Sequence, residues 1–114
     1  AHVDLLPNVM INFDDSKVEN GCLRVIRGSH KGGILPGTAD GSQLGGFYTN
    51  PSLIDENQEV AVEAVAGSVL FFDPHLVHGS GPNLSANSRR AIILTYQPAD
   101  FEMLKRAYVR NISL

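Results

Sequence analysis

A single cysteine, Cys22, is the only thiol in the chain, which excludes an intrachain disulfide and favours a reducing, cytoplasmic setting. Its apolar surroundings in Gly21-Cys22-Leu23 point to a buried, inert thiol rather than a nucleophile. No apolar run approaches the ~20 residues of a bilayer-spanning helix, and no basic segment precedes an apolar one as in a secretory leader. Membrane insertion is therefore not expected. Positive charge is also scarce. Nine Lys and Arg against twelve Asp and Glu leave a formal charge of -3, with the positive residues mostly scattered apart from pairs such as Arg89-Arg90. That distribution argues against a nucleic-acid surface. There is no internal repeat, no low-complexity tract and no methionine ahead of Ala1. The last point raises the expectation that the chain is a processed or N-terminally truncated piece of a longer one.

What the chain does contain is a set of short apolar runs. With 114 residues and 43% hydrophobic content, one globular domain spanning 1-114 is expected. Runs rich in Val, Ile, Leu and Phe alternate with Gly, Pro, Asn and Asp, the pattern of an all-β sandwich or barrel. The predicted strands are Val9 to Phe13, Cys22 to Ile26, Val60 to Val65, Ser68 to Phe72, Leu76 to Gly79 and Ala91 to Gln97. Asn20-Gly21 and Ala66-Gly67 supply turns that favour positive φ. From Gly32 to about Gln58 the chain holds six glycines and two prolines without sustained periodicity, and this stretch reads as a lid or substrate-facing insert. Phe47 and Tyr48 are available there for apolar contact or for packing on the barrel. After Pro98 the spacing of Phe101, Leu104, Ala107 and Tyr108 predicts a short C-terminal helix.

The residues able to carry chemistry concentrate in "DPHLVHGSGPNLSANSRR", residues 73-90. Alternate residues of a strand share a face, so His78 points the same way as Ser80, and His75 points elsewhere. An imidazole suits a divalent transition metal, and a hydroxyl two residues on could hold an anionic co-ligand. Arg89, on what would be the next antiparallel strand, has a planar fork suited to a carboxylate. The plainer alternative is a hydrogen-bonding loop histidine beside a solvated Arg pair.

Two longer stretches carry a resemblance. "DDSKVENGCLRVIRGSHKGG" (14-33) and "VEAVAGSVLFFDPHLVHGSGPNLSANSRRAIILTYQP" (62-98) resemble the phytanoyl-CoA dioxygenase family of Fe(II)- and 2-oxoglutarate-dependent oxygenases. The shared features are an Asn-Gly-Cys-Leu turn, a Gly-Ser-His segment and a His-Gly-Ser motif before an Arg. Arg27 stands where the family has Pro. The resemblance implies a double-stranded β-helix, or jelly roll, with iron held by a His-x-Asp pair and a distal histidine. It implies His78 as the distal ligand, Arg89 as the 2-oxoglutarate carboxylate anchor with Arg90 as runner-up, and Ser80 as the hydroxyl partner. His2 and Asp4 have the His-x-Asp form and share a strand face. The connection from them to Val9 is shorter than in the family, and the alternative is a polar tail with the true pair further upstream. Asp14 and Asp15 are weaker rivals for the metal carboxylate, His30 reads as structural, and His75 as a surface or supporting residue.

The reaction so implied couples decarboxylation of 2-oxoglutarate, with O2, to hydroxylation of an unactivated C-H bond in a small organic substrate. A carboxylate ligand at Asp4 favours hydroxylation over halogenation. Two rivals of different class are a non-catalytic jelly-roll binding module lacking a complete triad, and a cupin-like metal enzyme, which would need more histidines on the paired strands.

Overall fold

The computed structural model describes residues 7-33 and 49-96. They form six strands: β1 (Asn8–Asn12), β2 (Leu23–Ile26), β3 (Glu59–Val62), β4 (Val69–Phe72), β5 (His78–Ser80) and β6 (Ala91–Thr95). The strands make two antiparallel three-stranded sheets, ordered β4-β1-β6 and β3-β2-β5. Of the five connections, only β2 to β3 stays within one sheet. This alternation between facing sheets is the topology of a double-stranded β-helix.

All six predicted strands are present with shifted ends: β1 and β3 begin one residue earlier than predicted, and β5 runs His78–Ser80 rather than Leu76 to Gly79. No α-helix occurs among the described residues. The C-terminal helix expected after Pro98 lies outside them, as do His2, Asp4, Phe47 and Tyr48. The described end of the predicted insert holds two short 3-10 turns, Pro51–Leu53 and Glu56–Gln58. Their backbones are capped by the Asn50 and Asp55 side chains.

Register decides which residues face inward. In the first sheet Met10 pairs with Leu70 and Ile93, and Asn8 with Phe72 and Thr95. In the second, Leu23 pairs with Val62 and Ser80, and Val25 with Val60 and His78. The Phe72 and His78 rings meet edge to face at 4.9 Å, so these two sets face each other across the sandwich. Met10, Cys22 and Leu23 are buried together with Val9 on the opposite face of β1.

The two glycine turns adopt the expected positive φ, 85° at Gly21 and 86° at Gly67. Each carries the chain from one sheet to the other, since β1 and β2 lie in different sheets, as do β3 and β4. Asn20 is buried and satisfied at both ends. Its Oδ1 accepts from the Lys17 N–H at 2.7 Å, and its Nδ2 donates to the Asp15 carbonyl at 2.7 Å.

Candidate active site

His78 opens β5, and its orientation is set locally. Its Nδ1 lies 2.7 Å from the Leu76 carbonyl oxygen. A carbonyl only accepts, so Nδ1 carries the proton and Nε2 presents a lone pair, the tautomer of a metal-bound histidine. The strand beneath is held by the neighbouring turn. The Val77 N–H donates to Ser29 Oγ at 2.8 Å, and the Val77 carbonyl accepts from the Ile26 N–H at 3.0 Å. Ser29 thus gives a structural role to the Gly-Ser-His segment, while His30 beside it is exposed. Ser80 lies two residues along β5 on the face of His78, as strand alternation requires.

Behind β5 the loop is shaped by close approach of backbone to backbone. A Cβ at Gly21 would stand 2.5 Å from the Gly81 carbonyl oxygen. The Leu84 N–H donates to the Glu19 carbonyl at 3.0 Å. The turn before β2 is therefore a template for the residues leaving β5.

The expected placement of Arg89 on a strand beside His78 is corrected by the topology. The 81-90 segment crosses the sandwich, and β6 pairs with β1 in the opposite sheet. The ladder continues one bond beyond β6, with the Phe13 N–H donating to the Arg90 carbonyl at 2.9 Å. That bond places Arg90 opposite Phe13, both exposed, whereas Arg89, which precedes it, is half-buried; alternation from Ala91 would turn it inward on the side of Asn12.

The two arginines have different environments. The Asp14 carboxylate accepts from Arg90 Nε and Nη2 at 3.0 Å each and from the Arg90 backbone N–H at 2.8 Å. Those bonds hold the Asp14 carboxyl down at about 2, well below its ordinary 3.8, and raise the Arg90 guanidinium. Asp15 accepts the Ala66 N–H at 2.8 Å. Arg89 is half-buried and has no hydrogen-bond or ion-pair partner among the described residues. Its charge reaches the wholly buried Cys22 thiol. Burial pushes that thiol up, aided by Glu63; Arg24, the Val62 N–H and Arg89 oppose the rise.

An open cleft of about 480 Å³ lies alongside, lined by Val25, Val60, Val62, Phe72, Leu76 and other residues. Val25 and Phe72 border both this cleft and His78. His75 lies apart from this arrangement, its Nδ1 3.3 Å from Asp73. No cluster of three or more His, Cys, Asp or Glu residues able to hold a metal occurs among the described residues, and His78 is the ligand candidate they contain. Sequence reasoning did not single out Ser29 or Asn12. Asn12 had a signal: it is a polar side chain at an inward position within the apolar run Val9 to Phe13.

The fold and these residues define a jelly roll with a histidine and an arginine on facing inner surfaces, a class to which known proteins can be compared. The sequence profile of the family described as phytanoyl-CoA dioxygenase (PhyH) matches residues 1-91, and the chain belongs to that family. It is 37% identical over 93 residues to the phytanoyl-CoA dioxygenase domain-containing protein 1 homolog of Dictyostelium discoideum, covering 77% of this chain and 33% of that protein. It is 37% identical over 91 residues to the phytanoyl-CoA dioxygenase of Arabidopsis thaliana, covering 79% and 32%. Among solved structures, EvdO2 from Micromonospora carbonacea var. aurantiaca, in complex with 2-oxoglutarate, superposes with a TM-score of 0.67 at 29% identity. That match covers 85% of this chain and 42% of EvdO2. The chain spans about a third of the length of these curated relatives. Among the described residues no helix is long and apolar enough to cross a membrane.

Proposed function

We propose that the chain carries part of the catalytic centre of an Fe(II)- and 2-oxoglutarate-dependent dioxygenase that hydroxylates an unactivated C-H bond of a small organic molecule. The observation that carries this reading is the His78 ring, with Nδ1 committed to the Leu76 carbonyl and Nε2 left as the coordinating atom. That donor fits a ferrous ion, and His2 and Asp4 are the residues that would complete the ligand set. When bound, the iron supplies the activation of O2 that side chains alone cannot provide.

The chain's own residues have three tasks. Arg89 binds the distal carboxylate of 2-oxoglutarate through its planar fork, with the Ser80 hydroxyl as a second donor. Phe72 and the Leu76 carbonyl fix the plane of the His78 ring. The valines of β2 and β3 offer an apolar wall to the substrate and limit the access of water.

The test is anaerobic addition of Fe(II) and 2-oxoglutarate to the protein, followed by visible absorption. A metal-to-ligand charge-transfer band is expected, and His78→Ala should abolish it. Arg89→Ala should weaken 2-oxoglutarate at least about tenfold, the worth of a charged hydrogen-bonded pair, while iron affinity stays within about twofold. No band in the folded wild-type chain would favour the binding-module alternative. Equal loss of both ligands in Arg89→Ala would overturn the role given to Arg89.

A further inference from the structure

Asn12 closes β1 on the inward face and is 1% exposed. Its carboxamide is satisfied at one end only. Nδ2 donates to the Ser68 carbonyl at 3.3 Å, whereas Oδ1 has no hydrogen-bond partner among the described residues. A buried amide oxygen without a donor bears its full desolvation penalty, so such a group in a native fold calls for an explanation.

The sheet order narrows where the donor comes from. β1 lies between β4 and β6, and Ser68, which leads into β4, takes the Nδ2 end. The Oδ1 end is left for the β6 side. There Asn12 stands opposite Ala91, and the next inward position before Ala91 is Arg89. Such a diagonal neighbour is within reach of a long side chain. Arg89 brings five N–H donors and has no partner for them among the described residues. Its effect on the buried Cys22 thiol agrees with a guanidinium directed toward the interior.

We propose that Asn12 is a positioning residue whose Oδ1 accepts one Arg89 guanidinium N–H through a side-chain rotation of Arg89, since the two groups are not bonded in this structure. The bond keeps the remaining fork turned inward for the carboxylate of the 2-oxoacid. The inference rests on the role given to Arg89 above, and it adds a contact that can be measured with no ligand present.

The experiment follows hydrogen exchange of the Arg89 side-chain N–H groups by NMR in the ligand-free chain. Arg89→Lys assigns the signal, and Asp14→Asn separates it from that of Arg90. Exchange in the wild type should be slowed at least about tenfold relative to a solvated arginine, as expected for a bonded buried donor. Asn12→Leu should remove the slowing and weaken 2-oxoglutarate about tenfold with Fe(II) affinity unchanged, the effect of losing one bond to a charged group. Asn12→Asp should keep the slowing yet weaken 2-oxoglutarate further, because the new carboxylate competes for the fork. Unslowed Arg89 exchange in the wild type overturns the proposal and needs no variant to fold. So does an Asn12→Leu protein that stays folded with Arg89 still slowed. A slowed Arg89 in a chain that binds no 2-oxoglutarate would sustain the contact and refute the dioxygenase reading instead.

Discussion

Arg89 and Arg90 are chemically identical neighbours, and Asp14 separates their roles. Its carboxylate takes Arg90 by side chain and backbone together, which leaves Arg89 half-buried and without a partner among the described residues. Because folding lowers the Asp14 carboxyl from 3.8 to about 2, the clamp contributes stability that is fully present above pH ~4 and is lost as pH falls through ~2. Thermal melts should show the wild type ahead of Asp14→Asn at pH 5, with the gap closing between pH 4 and 2. A gap independent of pH over that range would mean that the charge of Asp14 is not what holds Arg90. The same bonds commit the Asp14 carboxylate to Arg90, although its residue type made it a candidate metal ligand.

The elements show what could be read from the sequence and what could not. Runs rich in Val, Ile, Leu and Phe marked five of the six strands, because burial of a sheet face leaves a local imprint, whereas β5 consists of His78, Gly79 and Ser80 and begins two residues later than predicted. Pairing leaves no such imprint. Nothing local to Arg89 tells whether its strand lies beside β5 or across from it; that depends on β1, nearly eighty residues earlier. The lone pair of His78 also depends on a backbone carbonyl that no motif encodes. The glycine turns were legible as turns, but their different costs were not. Gly21 and Gly67 share nearly the same positive φ, yet a Cβ at Gly21 meets the Gly81 carbonyl, whereas one at Gly67 meets nothing within 4 Å. Gly67→Ala should therefore cost about 1 kcal/mol, the backbone term alone. Gly21→Ala should cost about 3 kcal/mol or more, since the loop after β5 must also move. Urea denaturation of both variants measures the difference, and equal costs would show that the two turns are not packed as described.

At the scale of the whole molecule, the two sheets enclose a small interior and leave apolar side chains exposed on the outer strands of the first sheet among the described residues. Phe71 and Val69 on β4 and Ile92 and Leu94 on β6 flank Val9 and Ile11 of β1 on the outer face of the first sheet, and Phe71 is 74% exposed. A patch of this kind binds hydrophobic dyes. Val69→Thr with Ile92→Thr should lower dye fluorescence, with the Fe(II) affinity of His78 unchanged, because these side chains stand on the opposite face of the sheet from Phe72 and neither lines the cleft beside His78. A parallel loss of iron affinity would show that the two faces are not independent.

The Arg doublet beside Asp14 makes strand register behave like a reading frame. If β6 slipped one place so that Arg89 met Asp14, the clamp would survive, but Ser88 would take the inward position. If it slipped the other way, Arg90 would face inward and Asp14 would meet Ala91. Only the native frame provides both the outer clamp and the inner cation, so the ion pair on the surface also proofreads the alignment of the strand that leads into the site.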